Sequence, residues 1–183
     1  MRWVVFLRAA NVGTHNRFQP SVLVKELAKF GVVNVGAVGT FVVRENVTEK
    51  VLRAAILRKL PFKCEVMICP AKGIVDLVRD NPLKNEPIDN DRRVFLAVMS
   101  EPPVSLPKLP IYAPDSKNWE VKIVRITGVL ALSLWRRLKQ NALYPNQVIE
   151  KKFGVATTTR SWTTIVKLAE ILARMAATES PIP

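Results

Sequence analysis

Apolar residues recur along this chain in two rhythms, and the rhythms predict its elements. Trp3 to Leu7 is an unbroken run of apolar or β-favouring residues. Both parities are apolar (Trp3, Val5, Leu7 and Val4, Phe6), which predicts a strand covered on both faces. Asn11 to Asn16 reads as a loop, and Pro20 suits a first helical turn. Leu23, Leu27 and Phe30 form a helical stripe that Gly31 stops. Val33 to Val38 and Thr40 to Arg44 predict two strands broken at Gly39, or one kinked pair. Asn46 and Glu49 have capping-box spacing, with Asn standing where Ser or Thr is usual. Val51, Leu52, Ala55 and Ile56 share one face of the helix that follows, Pro61 ends it, and Cys64 to Cys69 predicts another strand. The order is β-α-β-β-α-β, the ferredoxin-like or split-βαβ arrangement.

The second half mixes strands and helices again. A short helix is expected around Ile74 to Val78, stopped at Asn81-Pro82, and Lys84 to Asp91 reads as a polar link. Arg93 to Met99 predicts a strand. Five of the 13 prolines fall in residues 102–114, which makes that stretch an irregular connection or an edge. Trp119 to Ile126 and Val129 to Trp135 flank Thr127-Gly128, a hairpin signal. Asn146 to Phe153 predicts a helix that Gly154 can cap. A last helix, from about Ser161 to Ala176, carries Trp162, Ile165, Val166, Ala169, Leu172, Ala173 and Ala176 in one broad stripe. The fold class expected is α+β in two lobes. Residues 1–83 form the ferredoxin-like lobe, and residues 84–183 form a second lobe of mixed strands followed by two C-terminal helices.

Composition narrows the function classes. With 183 residues, 49% hydrophobic and 23% charged, the chain is globular and not disordered. A single His and two Cys exclude a His/Cys metal cage and a disulfide-stapled scaffold. Cys64 and Cys69 are expected as reduced, mostly buried thiols. The start has neither the length of apolar run nor the small-residue site of a secretory signal, and no stretch is long enough to span a membrane. The expected setting is cytoplasmic, without metal or cofactor.

Charge changes the picture more. The net charge is +13, distributed as 10 basic and 3 acidic residues over 1–60, 8 and 9 over 61–120, and 10 and 3 over 121–183. If the two basic ends meet in space they make one surface that attracts polyanions, nucleic acid first among them. The plainer reading is a surface that only keeps the protein soluble. The clusters Arg53/Arg58/Lys59, Arg136-Arg137-Lys139 and Lys151-Lys152 are phosphate contacts on the first reading and solvated faces on the second.

Three segments are candidates for chemistry. Thr157, Thr158, Thr159, Arg160 and Ser161 precede the last apolar stripe, so they are expected at a helix N-terminus. Free N–H groups, hydroxyls and a bidentate Arg there suit an anion. The competing reading has Thr159 or Ser161 capping the helix, Trp162 anchoring the core and Arg160 bonding within the fold. The loop Asn11 to Arg17 carries Asn11, Gly13, His15, Asn16 and Arg17 after the first strand. His15 is a conceivable general base there, although no nucleophile partners it by spacing. Phe6 and Phe41 faintly resemble the stacking aromatics of an RNA-binding sheet. With Arg8 added, the candidate anion-binding set is Arg8, Asn11, Arg17, Thr158, Thr159, Arg160 and Ser161, expected to converge on one cleft, and no catalytic residue is assigned.

Two of these segments carry a family resemblance. Leu7-Arg8-Ala9-Ala10-Asn11-Val12-Gly13 resembles the LRGINVG opening of the bacterial family catalogued as domain of unknown function 1697. Thr158 to Leu168 is similar to its T-T-R-N-W-x-T-V-x-K-L close, and Glu150-Lys151-Lys152-Phe153-Gly154 to its E-x-x-L-G run. The resemblance implies a two-lobed α+β fold and no established reaction. The chain departs from the family pattern at Ala9-Ala10 (Gly-Ile), Thr14 (Gly), His15 (a basic position), Val38-Gly39-Thr40 (Ser-Gly-Asn) and Ser161 (Asn). A pocket built on those polar groups would be altered here. The expected function is non-catalytic polyanion binding. The alternative is an enzyme or sensor holding a small phosphorylated or anionic metabolite between the Asn11–Arg17 loop and the Thr157–Trp162 segment. A protein-interaction module is the third reading, marked by a large exposed apolar patch.

Overall fold

A computed structural model describes residues 2–10, 18–87, 91–138 and 143–177. Its first elements follow from the apolar runs: β1 (Trp3–Leu7), α1 (Pro20–Glu26), β2 (Val32–Asn34), β3 (Thr40–Val43), α2 (Glu49–Lys59) and β4 (Val66–Pro70). Pro20 opens α1, and Gly31, at φ +59°, ends the short 3-10 turn that extends it. The four strands form one antiparallel sheet in the order β2-β3-β1-β4. The two-faced β1 is buried as its parity predicts. Val5 and Leu7 pack with Leu23, Leu27, Leu52 and Ile56 under α1 and α2, while Val4 and Phe6 face the opposite way, into the core shared with the second sheet.

Two local expectations are corrected. β2 stops at Asn34 and does not run to Val38, because Gly36 and Gly39 take φ of +84° and +71° and turn the chain out of the ladder. The cap of α2 is Thr48, not Asn46. Its Oγ1 accepts from the Val51 N–H at 3.4 Å, since the hydroxyl three residues ahead is the one within reach of that orphan donor.

The second half supplies α3 (Ala71–Arg79), β5 (Arg92–Met99), β6 (Ile111–Ala113), β7 (Val121–Thr127), β8 (Leu130–Arg136), α4 (Pro145–Phe153), β9 (Thr157–Ser161) and α5 (Trp162–Ala177). Its sheet is antiparallel in the order β6-β7-β8-β5-β9. The proline-rich stretch yields only the short edge strand β6, and Gly128 at φ +56° turns the β7–β8 hairpin. β9 is the larger correction. Thr157 to Ser161 is not the start of a helix but an edge strand paired with β5 from Thr157↔Met99 to Ser161↔Phe95. Three consecutive β-branched threonines favour extended backbone, and the helix waits for Trp162.

Among the described residues the α+β architecture is therefore two antiparallel sheets with five α-helices. Leu96, Val98, Leu130, Leu132 and Leu134 of the second sheet meet α3, α5 and the inner face of the first sheet in one cluster. The outer face of the second sheet (Ala97, Met99, Val121, Ile123, Ala131) packs on Ile149 of α4 and on Val155. Among the described residues no helix is long and apolar enough to cross a membrane.

Cys69 is buried in β4, and burial pushes its thiol up to about 12; Cys64 is half-buried and raised by the same cause. Both are thus thiols and not thiolates at neutral pH. In the native protein at neutral pH a disulfide reagent should modify Cys64 slowly and leave Cys69 unmodified until denaturant is added. Rapid native labelling of both would contradict the packing of β4.

Candidate functional site

Strand alternation decides where the closing motif points. Thr158 and Arg160 lie opposite Val98 and Leu96, on the inner face, whereas Thr157, Thr159 and Ser161 lie opposite Met99, Ala97 and Phe95, on the α4 face. The expected row of helix-terminal donors is thus divided between two sides of a strand. Ser161 keeps one predicted role: its Oγ accepts from the Thr164 N–H at 3.4 Å, at the start of α5.

Arg160 is 7% exposed and reaches across to the first sheet. Its Nε donates to Thr40 Oγ1 (2.8 Å), and its Nη1 to Thr158 Oγ1 (2.9 Å) and the Thr159 carbonyl (2.8 Å). Its Nη2 donates to the carbonyls of Val38 (2.8 Å), Leu7 (3.1 Å) and Gly39 (3.3 Å). A guanidinium has five N–H bonds, and six acceptors share them here. The Phe6 ring lies 5.6 Å from its carbon. Burial lowers its pKa to about 10, so it is still a cation at neutral pH. Carbonyl and hydroxyl dipoles alone are its hydrogen-bond partners, and no N–H is left to grip a phosphate.

Val38 and Gly39 contribute carbonyls, which any residue supplies, and the Thr40 hydroxyl provides the one side-chain acceptor from the first sheet. Gly39 has no substitute, because a Cβ there would lie 2.9 Å from Leu7 Cβ. Ala9 takes φ +53°, a conformation in which glycine is at ease and alanine is strained.

A cleft of about 440 Å³ opens beside Arg160, lined by Leu7, Arg8, Ala9, Ala10, Val38, Asn146 and Thr157 to Thr159. Four of the predicted anion-site residues, Arg8, Thr158, Thr159 and Arg160, therefore do meet; Asn11, Arg17 and His15 lie outside the described residues. Arg8 is already engaged: Nη1 holds Glu65 Oε2 at 2.5 Å and Nη2 holds Glu150 Oε1 at 2.9 Å. The hydrogen bond to Glu65 raises its pKa. Glu150 Oε1 also accepts from the Thr157 N–H (2.9 Å) and hydroxyl (3.1 Å). Among the described residues Arg8 and Arg160 are the charged groups that line the cleft, and Glu65 and Glu150 pair with Arg8. The aromatic platform is also overturned: Phe6 and Phe41 are 0% and 1% exposed and belong to cores on opposite faces of the first sheet.

One cluster joins Arg136, from the basic run Arg136-Arg137-Lys139, to residues that the sequence did not single out as a site. Arg92 and Arg136 are direct cross-strand neighbours at the end of the β5–β8 ladder. Their guanidinium carbons lie 5.8 and 4.3 Å from the Trp119 ring centre. Arg136 Nε donates to the Trp119 carbonyl, and Tyr112 packs 6.5 Å from the same ring. Register from the Thr127-Gly128 hairpin, combined with the pairing of β5 and β8, is the signal that would have found it.

A family model described as "Protein of unknown function (DUF1697)" matches residues 1–125. Among solved structures, the conserved bacterial protein SP0830 from Streptococcus pneumoniae is similar at a TM-score of 0.61 and 14% identity, covering 93% of this chain and 98% of that one. At that identity the likeness speaks for the fold alone. No curated protein matches the chain.

Replacing Arg160 with Met should lower unfolding free energy by about 3 kcal/mol, because several buried acceptors lose their donor. Replacing the half-exposed Arg8 with Gln should cost about 1 kcal/mol or less. Ala9→Gly should raise stability by about 0.5–1 kcal/mol through relief of the left-handed backbone. Urea denaturation checks all three; an Arg160→Met protein as stable as the parent would contradict the bracing role.

Proposed function

Because the chain belongs to the family of proteins of unknown function that its residues 1–125 match, and membership brings no reaction with it, we propose that this is a non-catalytic module that binds a polyanion, nucleic acid foremost, through its basic surface. The observation that carries this reading is the surplus of cations without ion-pair partners on the outer helical layer. Residues 18–63 hold eight basic and three acidic side chains. Two of the three carboxylates are taken by pairs, Glu26 with Lys59 and Glu49 with Arg53. Lys25, Lys29, Arg44, Lys50, Arg58 and Lys63 form no ion pair among the described residues. Flexible, hydrated cations without fixed partners are the kind that exchange counterions for phosphates. The free thiols fit a cytoplasmic setting.

The small-anion reading retains one supporting observation, the cleft lined by Arg8, Asn146, Thr158 and Thr159. It is the weaker of the two. Arg160 has no free donor, and Arg8 already serves two carboxylates.

Fluorescence anisotropy with labelled RNA and DNA across a salt series tests the proposal. Affinity should fall with salt at a log–log slope of about −3 to −5, as for a handful of neutralised phosphates. Combining Lys25→Gln, Lys29→Gln, Lys50→Gln and Arg58→Gln should flatten that slope by about 0.7–0.9 for each phosphate no longer neutralised. Absence of binding at the lowest salt would overturn the reading.

A further inference from the structure

The end of the β5–β8 ladder gathers guanidinium groups: Arg136 donates to the Trp119 and Lys117 carbonyls, and Arg92 Nη1 to the Pro87 carbonyl at 2.6 Å. Arg92 and Arg136 lie directly opposite each other, and like charges in that relation are destabilising. Alternation puts this pair on one face of the sheet and Arg93 on the other, and Arg137 directly follows β8, so four cations sit at one strand end. Arg93 and Arg137 are exposed and make no ion pair or side-chain hydrogen bond among the described residues. Lys117 is exposed on the adjoining turn, and Arg136 Nη2 donates to its carbonyl at 3.4 Å.

Three of the four nearby acids bond other groups. Glu86 holds Lys122 Nζ with both oxygens at 2.7 Å, Asp115 accepts the N–H groups of Lys117 and Asn118, and buried Glu120 accepts the Leu143 N–H at 3.0 Å. Counting Arg92, Arg93, Lys117, Lys122, Arg136 and Arg137 against Glu86, Asp91, Asp115 and Glu120 leaves a local charge of +2 among the described residues.

Aromatic groups are interleaved with these cations. Trp119 is half-buried, with Arg136 over its ring, Arg92 beside it and Tyr112 tilted at 54° against it; Lys122 lies 5.8 Å from the Tyr112 ring centre. A guanidinium held on an aromatic ring is positioned to stack a nucleobase, and the cations beside it are placed for backbone phosphates. A duplex hides its base faces and cannot use such a platform.

We propose that the Arg92/Arg93/Arg136/Arg137 cluster around Trp119 is a contact site for single-stranded nucleic acid, gripping phosphates and stacking one base. The inference rests on the polyanion reading and locates and narrows it.

The test compares a short oligothymidylate with a DNA duplex of the same length, at one low salt concentration, on the full chain. Arg93→Gln/Arg137→Gln, which removes two exposed cations that brace nothing, should weaken oligothymidylate binding about tenfold. Trp119→Leu should weaken it about fivefold or more and change duplex binding by less than about twofold, in keeping with the loss of one stacked base. Circular dichroism checks that Trp119→Leu folds; if it does not, the double arginine variant alone decides. Oligothymidylate binding within twofold of the parent in the arginine variant would overturn the site while leaving the polyanion reading intact. So would equal losses for single strand and duplex in Trp119→Leu. No binding of either probe by the parent would instead overturn the polyanion reading itself.

Discussion

One buried cation holds the two sheets together. Arg160 rises from the edge strand of the second sheet and spends its donors on a hydroxyl and three carbonyls of the first, and on two acceptors of its own strand. A charged group taken out of water is tolerated only when its hydrogen bonds are all replaced, and the segments Leu7 and Val38 to Thr40 are shaped to do that. Gly39 turns at φ +71° so that its own carbonyl and that of Val38 face the guanidinium, with no room for a side chain above Leu7. The same brace closes the exposed side of β9, where the Thr159 carbonyl goes to Arg160 and the Thr157 N–H to Glu150. An edge strand closed in this way is protected from pairing with another chain.

This constraint also redistributes function. An arginine beside threonines reads in one dimension as an anion grip. In three dimensions it is a crossbeam, and the cleft beside it is left with Arg8 between two carboxylates. On the proposed reading, recognition of a polyanion then falls to cations outside this brace: Lys25 of α1, Lys50 and Arg58 of α2, and Arg93 and Arg137 beside the end of the β5–β8 ladder. Arg8 and Arg160, from opposite ends of the chain, meet at the cleft. Both are engaged, Arg8 by two carboxylates and Arg160 by carbonyls and hydroxyls.

Much of the fold was legible because it rests on local physics. The two-faced apolar run of β1, the Gly31 and Gly154 stops, the prolines around β6 and the stripe of α5 all state their roles within a few residues. The misreadings share a cause. Thr157 to Ser161 precedes an apolar stripe, as a helix cap does, and only the long-range partner β5 makes it a strand. The extent of β2 depended on how Gly36 and Gly39 turn, and the role of Arg160 on residues more than a hundred positions away. The Arg92–Arg136 opposition needed the pairing register, which no single segment contains. Phe6 and Phe41 were separable in principle, since they occupy opposite parities once the pairing of β1 and β3 is known.

The Arg160 guanidinium is either closed off within the fold or open to ligands, and everything else follows from which. Nitrogen-15 NMR of its Nε–H in the intact protein asks this directly. A signal that exchanges slowly with water and does not move on addition of inorganic phosphate is the predicted result. Rapid exchange, or a saturable shift with phosphate, would contradict it and return the anion site to the cleft.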